Sequence, residues 1–228
     1  MLNKYLISVL MLTVWAGIIK PVQAELHDRG GGLLYDDVLN ITWLQDANYA
    51  KTCGASPGGA MGWAEAQKWV GKLVYYDPVR KVELRGWRLP KVKPVNGVAF
   101  TGKFSLDGAS DEGYNITSLN SELAYMFYVN LKLKGYYSTT GEVQPGFGTG
   151  GNGKWDVSAD AGLVKNFRAS VYWTGTDDVS YPLRNAWMFD AYWGNQNFYN
   201  KWDVLLVWPV RDGDVTAAPT AQQDEPKR

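Results

Sequence analysis

Apolar residues recur along this chain in two rhythms, short strand-like runs and longer stretches at helical spacing. Leu33-Leu-Tyr-Asp-Asp and Asn40-Ile-Thr-Trp-Leu read as two strands joined by a turn, a hairpin that would hold the N-terminal part of the domain in place. After a Gly-rich loop at 54–62, Trp63, Ala66, Val70, Leu73 and Val74 form one stripe, with Glu65, Gln67, Lys68 and Lys72 outside it. That spacing predicts an amphipathic helix ended by Asp77-Pro78. A second helix is predicted from Ser118 as its cap, with Leu119, Leu123, Met126, Phe127 and Leu131 on its buried side and Gly135 beyond its basic end.

Between these helices Gly86-Trp-Arg-Leu-Pro90 forms a compact block, and residues 91–117 read as a long loop with one brief strand at Val98-Ala-Phe100. Residues 138–162 return to loop composition. Strands are then predicted at 170–174, 185–190, 196–200 and 204–210, the middle two joined by a turn at Trp193-Gly-Asn195. The layout is α+β: two helices on a small, twisted antiparallel sheet, with long loops and its ends close together.

Residues 1–24 carry Lys4, the apolar run from Tyr5 to Ile19 and Val22-Gln-Ala24, the pattern of a cleaved secretory signal. The expected product is secreted, extracellular or periplasmic, with one domain over 25–213 and a disordered tail over 214–228. No membrane insertion is expected after cleavage. The leader holds two of the 23 basic residues and none of the 23 acidic ones, so the mature chain is slightly negative. That charge excludes phosphate-backbone attraction as a driving force, and nucleic acid with it. The lone Cys53 reads as an unpaired loop thiol or as a residue that pairs between chains.

Catalytic chemistry finds little support. The single histidine, His27, lies next to the predicted cleavage point, which argues against a Ser-His-Asp or Cys-His site and against zinc. No glycine run has the setting of a phosphate loop. Asp107, Asp111 and Glu112 share the long loop, and Asp177 and Asp178 share a later turn. Either group offers oxygen ligands to calcium or a carboxylate pair to glycoside hydrolysis, although solvated loop carboxylates are the simpler reading. No other cofactor is expected.

Trp87, Trp173, Trp187 and Trp208 read as core. Tyr192, Trp193, Asn195, Gln196, Tyr199 and Trp202 belong to a polar, aromatic hairpin suited to stacking on a sugar or to docking a surface protein. Such a face also allows self-association. Arg88 reads as a structural arginine bonded to loop carbonyls or to a carboxylate such as Glu122, and Arg211 invites the same reading.

Taken together, Gly86-Trp-Arg-Leu-Pro90, Asn120-Ser-Glu-Leu123, Tyr172-Trp-Thr-Gly-Thr176, Asn185-Ala-Trp-Met-Phe-Asp190 and Trp208-Pro-Val-Arg211 resemble the Lcl C-terminal domain family, found at the end of a Legionella collagen-like adhesin and in many exported proteins. Gly32-Leu-Leu-Tyr-Asp36 and Ile41-Thr-Trp-Leu44 fit the same family, and the likeness covers roughly 30–213. It implies a fold related to C-type lectins and formylglycine-generating enzymes, with the Gly-Trp-Arg-Leu-Pro block in a structural role. The resemblance is nearest to a subgroup that often ends in a Pro-Glu-Pro sorting tail; after Arg211-Asp-Gly-Asp-Val215 no apolar segment follows here. Enzyme activity does not carry over, because those relatives use two cysteines and this chain has one. The calcium-sugar signatures of true C-type lectins are missing as well. Adhesion or glycan binding is therefore the expected function, a self-assembling envelope subunit is its alternative, and a hydrolase comes third.

Overall fold

The fold is described from a computed structural model, which covers residues 25–148 and 158–216. The expected leader at 1–24, Trp155 and the tail from 217 lie outside the described residues.

The N-terminal hairpin forms as its pattern predicts. β1 (Leu26–Asp28) pairs with β2 (Leu33–Asp36), and β2 with β3 (Ile41–Leu44), both antiparallel, with Leu34 opposite Trp43. The buried Asp36 carboxylate closes the turn by accepting the N–H groups of Val38 and Leu39. Short helix α1 (Tyr49–Thr52) and β4 (Ala60–Gly62) lead to α2 (Trp63–Lys72), which buries Ala66 and Val70. This helix stops earlier than its spacing suggests. Leu73 is already extended, and β5 (Tyr75–Asp77) pairs with β6 (Val82–Leu84). Tertiary contacts decide the matter: the Tyr75 hydroxyl donates to Gly31 O, and its ring packs edge-on against Tyr49 and Trp87.

β7 (Trp87–Arg88), β8 (Phe104–Ser105) and β9 (Glu112–Tyr114) come next. No strand forms at 98–100, where an Asn96 side-chain turn bonds the N–H groups of Val98 and Ala99. The second helix also begins later than expected. Ser118 and Leu119 lie in a turn, and α3 (Glu122–Tyr125) widens at once into a π-helical turn at Met126–Asn130. Backbone pairing explains the delay. Lys93 N–H donates to Asn120 O and Glu122 N–H to Lys91 O, so 120–122 is tied to the segment after Pro90. Leu123, Met126 and Phe127 are buried as predicted, while Leu119 is exposed.

Where loop was expected through 162, β10 (Ser158–Ala161) and β11 (Val164–Arg168) form a hairpin held by buried Val164 and Phe167. β12 (Val171–Asp177), β13 (Asn185–Asp190) and β14 (Asn195–Asn200) follow near their predicted positions. The last predicted run divides into β15 (Val204–Leu206) and β16 (Val210–Asp212) on either side of Pro209.

Two main sheets result, one of seven strands in the order β4-β15-β12-β13-β14-β9-β8 and one of five, β1-β2-β3-β16-β7. The larger is not wholly antiparallel, since β12 with β15 and β8 with β9 run parallel. Tyr172 and Phe189 pack on one side with Met126 and Phe127, whereas Trp173 and Met188 pack on the other with Ala66 and Val70. Trp208 fills the join between the sheets. Its ring lies 4.7 Å from Trp43, and its indole N–H donates to Leu44 O at 2.7 Å. The architecture is sheet-rich α+β, and all four tryptophans expected in the core are there.

Arg88 does what its sequence context predicts. It donates to both Glu122 oxygens at 2.8 and 2.9 Å and reaches Asp212 at 2.5 Å, joining β7, α3 and β16. Arg211 does not repeat this. Its Nε is buried without a hydrogen-bond partner among the described residues, and as the strand neighbour of Asp212 it points to the opposite face of β16. The domain also continues past 213: Asp214 pairs with Arg29 at 2.7 Å, and Val215 is buried.

Removing the Arg88 fork leaves Glu122 largely buried and without its cation. Arg88→Ala should lower unfolding free energy by about 2–4 kcal/mol, and Arg88→Lys should restore less than half of that. Chemical denaturation checks this, and a loss near zero would show that the fork is ornamental.

Candidate functional site

The six residues of the aromatic hairpin separate into two groups. Tyr192 and Trp193 sit at the β13–β14 turn, inside a cluster of rings. Trp193 lies 4.6 Å from Tyr136 and stacks on Phe147 at 5.5 Å, and Tyr192 meets Phe147 at 5.6 Å. Asn195 donates to the Tyr114 hydroxyl, and buried Gln196 donates to Asp111 O at 2.8 Å and to Ser121 Oγ. These four residues hold the hairpin against the body of the domain, so they do not form the open face expected of them. Tyr199 and Trp202 are 46% and 86% exposed.

Strand alternation explains why sequence reading missed the better site. Phe198, opposite Trp187 in the register, points to the other side of β14 from Tyr199. There Phe198, Trp187, Phe100, Tyr181, Glu112 and Asp178 line a cleft of about 290 Å³. Phe100 stacks on Trp187 at 5.1 Å, and Phe198 meets the same indole edge-on at 6.1 Å. The loop before β8, β9, the turn after β12, β13 and β14 therefore all contribute. The alternation Gln196, Phe198, Asn200 against Asn195, Asn197, Tyr199 was the one signal available, and it could not say which side held a cleft.

The loop over this cleft is held in place by Asp111, which is buried. Its carboxylate accepts the N–H of Val95 at 2.6 Å, the N–H of Thr101 at 2.9 Å and the Thr101 hydroxyl at 3.3 Å. Asp178, also buried, accepts from Ser180 N–H at 2.9 Å and from Asn185 Nδ2 at 3.2 Å. Both carboxylates are thus fixed in turns rather than poised for proton transfer. Glu112 differs. Burial first, then the negative charges of Asp178 and Asp111, push its carboxyl above the usual range, and no hydrogen bond acts the other way. Gly113 places it there: at φ 119°, a Cβ would stand 1.8 Å from Ser105 O, so only glycine lets β9 lie against β8. Trp187 is 2% exposed, and its indole N–H has no partner among the described residues.

A larger cleft, about 480 Å³, lies between Tyr49, Tyr75, Asp46 and Lys165. Several of its polar groups are already engaged: Thr52 bonds Asp46, Lys165 pairs with Asp160 and Tyr75 bonds Gly31 O. The smaller cleft is lined by a donor and a carboxylate without partners among the described residues, and that makes it the candidate. The other carboxylates considered for calcium are occupied as well. Asp107 closes a turn on Ala109, and Asp177 pairs with Lys201. Among the described residues no three His, Cys, Asp or Glu side chains converge as a metal set. Cys53 is exposed at the end of α1. Compared with known protein families, curated proteins and solved structures, the chain matches none.

Asp190, under the ring cluster, gives a pH test of this end of the sheet. Burial pushes its carboxyl up to about 6, although the N–H groups of Trp193 and Tyr192 pull it down. Its folded value lies above the unfolded one, so its contribution to stability is complete below about pH 4 and lost as pH rises through about 6. Asp190→Asn should therefore match the parent near pH 4 and exceed it by about 1–2 kcal/mol near pH 8. Thermal melts across that range check it, and an equal difference at both ends would refute the burial argument.

Proposed function

We propose that this chain is an exported, non-catalytic binding module of C-type-lectin-like fold that recognises a glycan in the cleft beneath Phe100 and Tyr181. The observation that carries this reading is the pairing of aromatic rings with unsatisfied polar groups. Phe198, Phe100 and the exposed Tyr181 offer faces for a sugar ring, while among the described residues the buried Trp187 N–H and the partly exposed Glu112 carboxylate have no hydrogen-bond partner. A sugar hydroxyl both donates and accepts, so it suits both groups at once. The fixed turns of Asp111 and Asp178 favour binding over hydrolysis, since neither carboxylate is free to shuttle a proton. The structural use of Trp87 and Arg88 accords with the resemblance to the Lcl C-terminal domain family. Secretion to the periplasm or cell exterior follows from the leader pattern at 1–24.

A glycan array probed with and without calcium tests this directly. Phe198→Ala should weaken any ligand found by about tenfold or more, and Trp202→Ala should leave it unchanged. Loss of binding in the Trp202 variant alone would move the site to the exposed hairpin end.

A second reading, self-association or docking to a surface protein, draws on the apolar surface around that end. Trp202, Leu183 and Val204 are exposed, and Lys201 ties their two turns together through Asp177, Pro182 O and Arg184 O. Sedimentation at rising concentration distinguishes it: self-association abolished by Trp202→Ala would favour this face, and a monomer throughout would exclude assembly through it.

A further inference from the structure

We infer that the sugar seated in the cleft carries a free, protonated amino group. This rests on the glycan reading above and narrows it to one chemical class. The cleft brings Glu112 and Asp178 together, and none of its lining residues is Lys or Arg. The charges that act on Glu112 come from Asp178 and Asp111, both negative, in a partly buried setting. A neutral sugar would supply hydrogen bonds and leave that repulsion in place. An ammonium group removes it, and the same cation is attracted to the faces of Phe198 and Tyr181.

The second requirement comes from Trp187. The Trp187 ring lines the cleft and its buried N–H has no acceptor among the described residues, so a ligand that also offers an oxygen suits it. Cation and oxygen must then lie close together on one compact body, because the cleft measures only about 290 Å³. An amino sugar presents an ammonium and a hydroxyl on adjacent ring carbons and adds a flat face for stacking. A lysine side chain has the cation at the end of a bare hydrocarbon stem. Its nearest oxygen is a backbone carbonyl at the other end of that stem, too far to answer the indole from the same compact body, and so an aminoglycan is favoured over a basic peptide.

The test compares three probes on the mature protein by titration calorimetry near pH 6 at low salt: a glucosamine hexamer, the same hexamer fully N-acetylated, and hexalysine. The free-amine hexamer should bind about tenfold or more tightly than the acetylated one, and hexalysine at least about tenfold more weakly than the free-amine hexamer. Glu112→Gln should erase most of the preference for the free amine, weakening the free-amine hexamer about tenfold more than the acetylated one. Because Glu112 holds no partner among the described residues, the variant should melt no lower than the parent, so a loss of binding cannot be blamed on unfolding. Equal binding of the two hexamers would overturn the amino requirement and leave the glycan reading intact. Failure of both hexamers to bind would overturn both. Hexalysine bound as tightly as the sugar would overturn the assignment to an amino sugar.

Discussion

A buried carboxylate shapes the cleft. Asp111 is almost wholly withdrawn from solvent, and an ionised group there needs several donors around it. The donors come from the loop itself, at Val95 and Thr101, so the chain after Pro90 must fold back over the sheet to supply them. That fold-back carries Phe100 onto Trp187. Glu122 fixes the start of the same loop, since one oxygen takes both the Arg88 guanidinium and the Lys91 N–H. Arg88 and Asp111 together turn a stretch of loop composition into one wall of a defined site.

Much of the frame was legible in the chain. The apolar run around Trp43, the stripe at Ala66 and Val70, and the strands carrying Trp173 and Trp187 report burial, on one face of the helix and on both faces of these strands. The bond from Arg88 to Glu122 was legible for another reason: a guanidinium beside a core tryptophan must find an acceptor. The ends of both helices were not. Tyr75 leaves α2 for contacts with Gly31 and Trp87, and residues 120–122 delay α3 by pairing with 91–93, all distant in sequence.

The site was the least legible part. Tyr192, Trp193 and Trp202 resemble one another as letters, yet two lie among rings at a turn and one stands in solvent. Segments 134–148 and 190–196 must meet before that difference exists, as when Tyr136 N–H bonds Trp193 O. Glu112 posed the opposite problem. It was visible as one of several loop carboxylates, but the lack of a partner is a property of its surroundings. Composition marks aromatics and acids; only packing tells which of them remain unsatisfied.

The indole N–H of Trp187 offers the most direct readout, because each tryptophan indole N–H gives its own nuclear magnetic resonance signal. Trp173 and Trp208 serve as internal references, their N–H groups already bonded to Met61 O and Leu44 O. On titration with glucosamine oligomer, the Trp187 signal should move downfield as its proton gains an acceptor, with the Trp173 and Trp208 signals stationary. A Trp187 signal that stays fixed while that of Trp202 shifts would contradict a cleft site and place recognition on the exposed hairpin end.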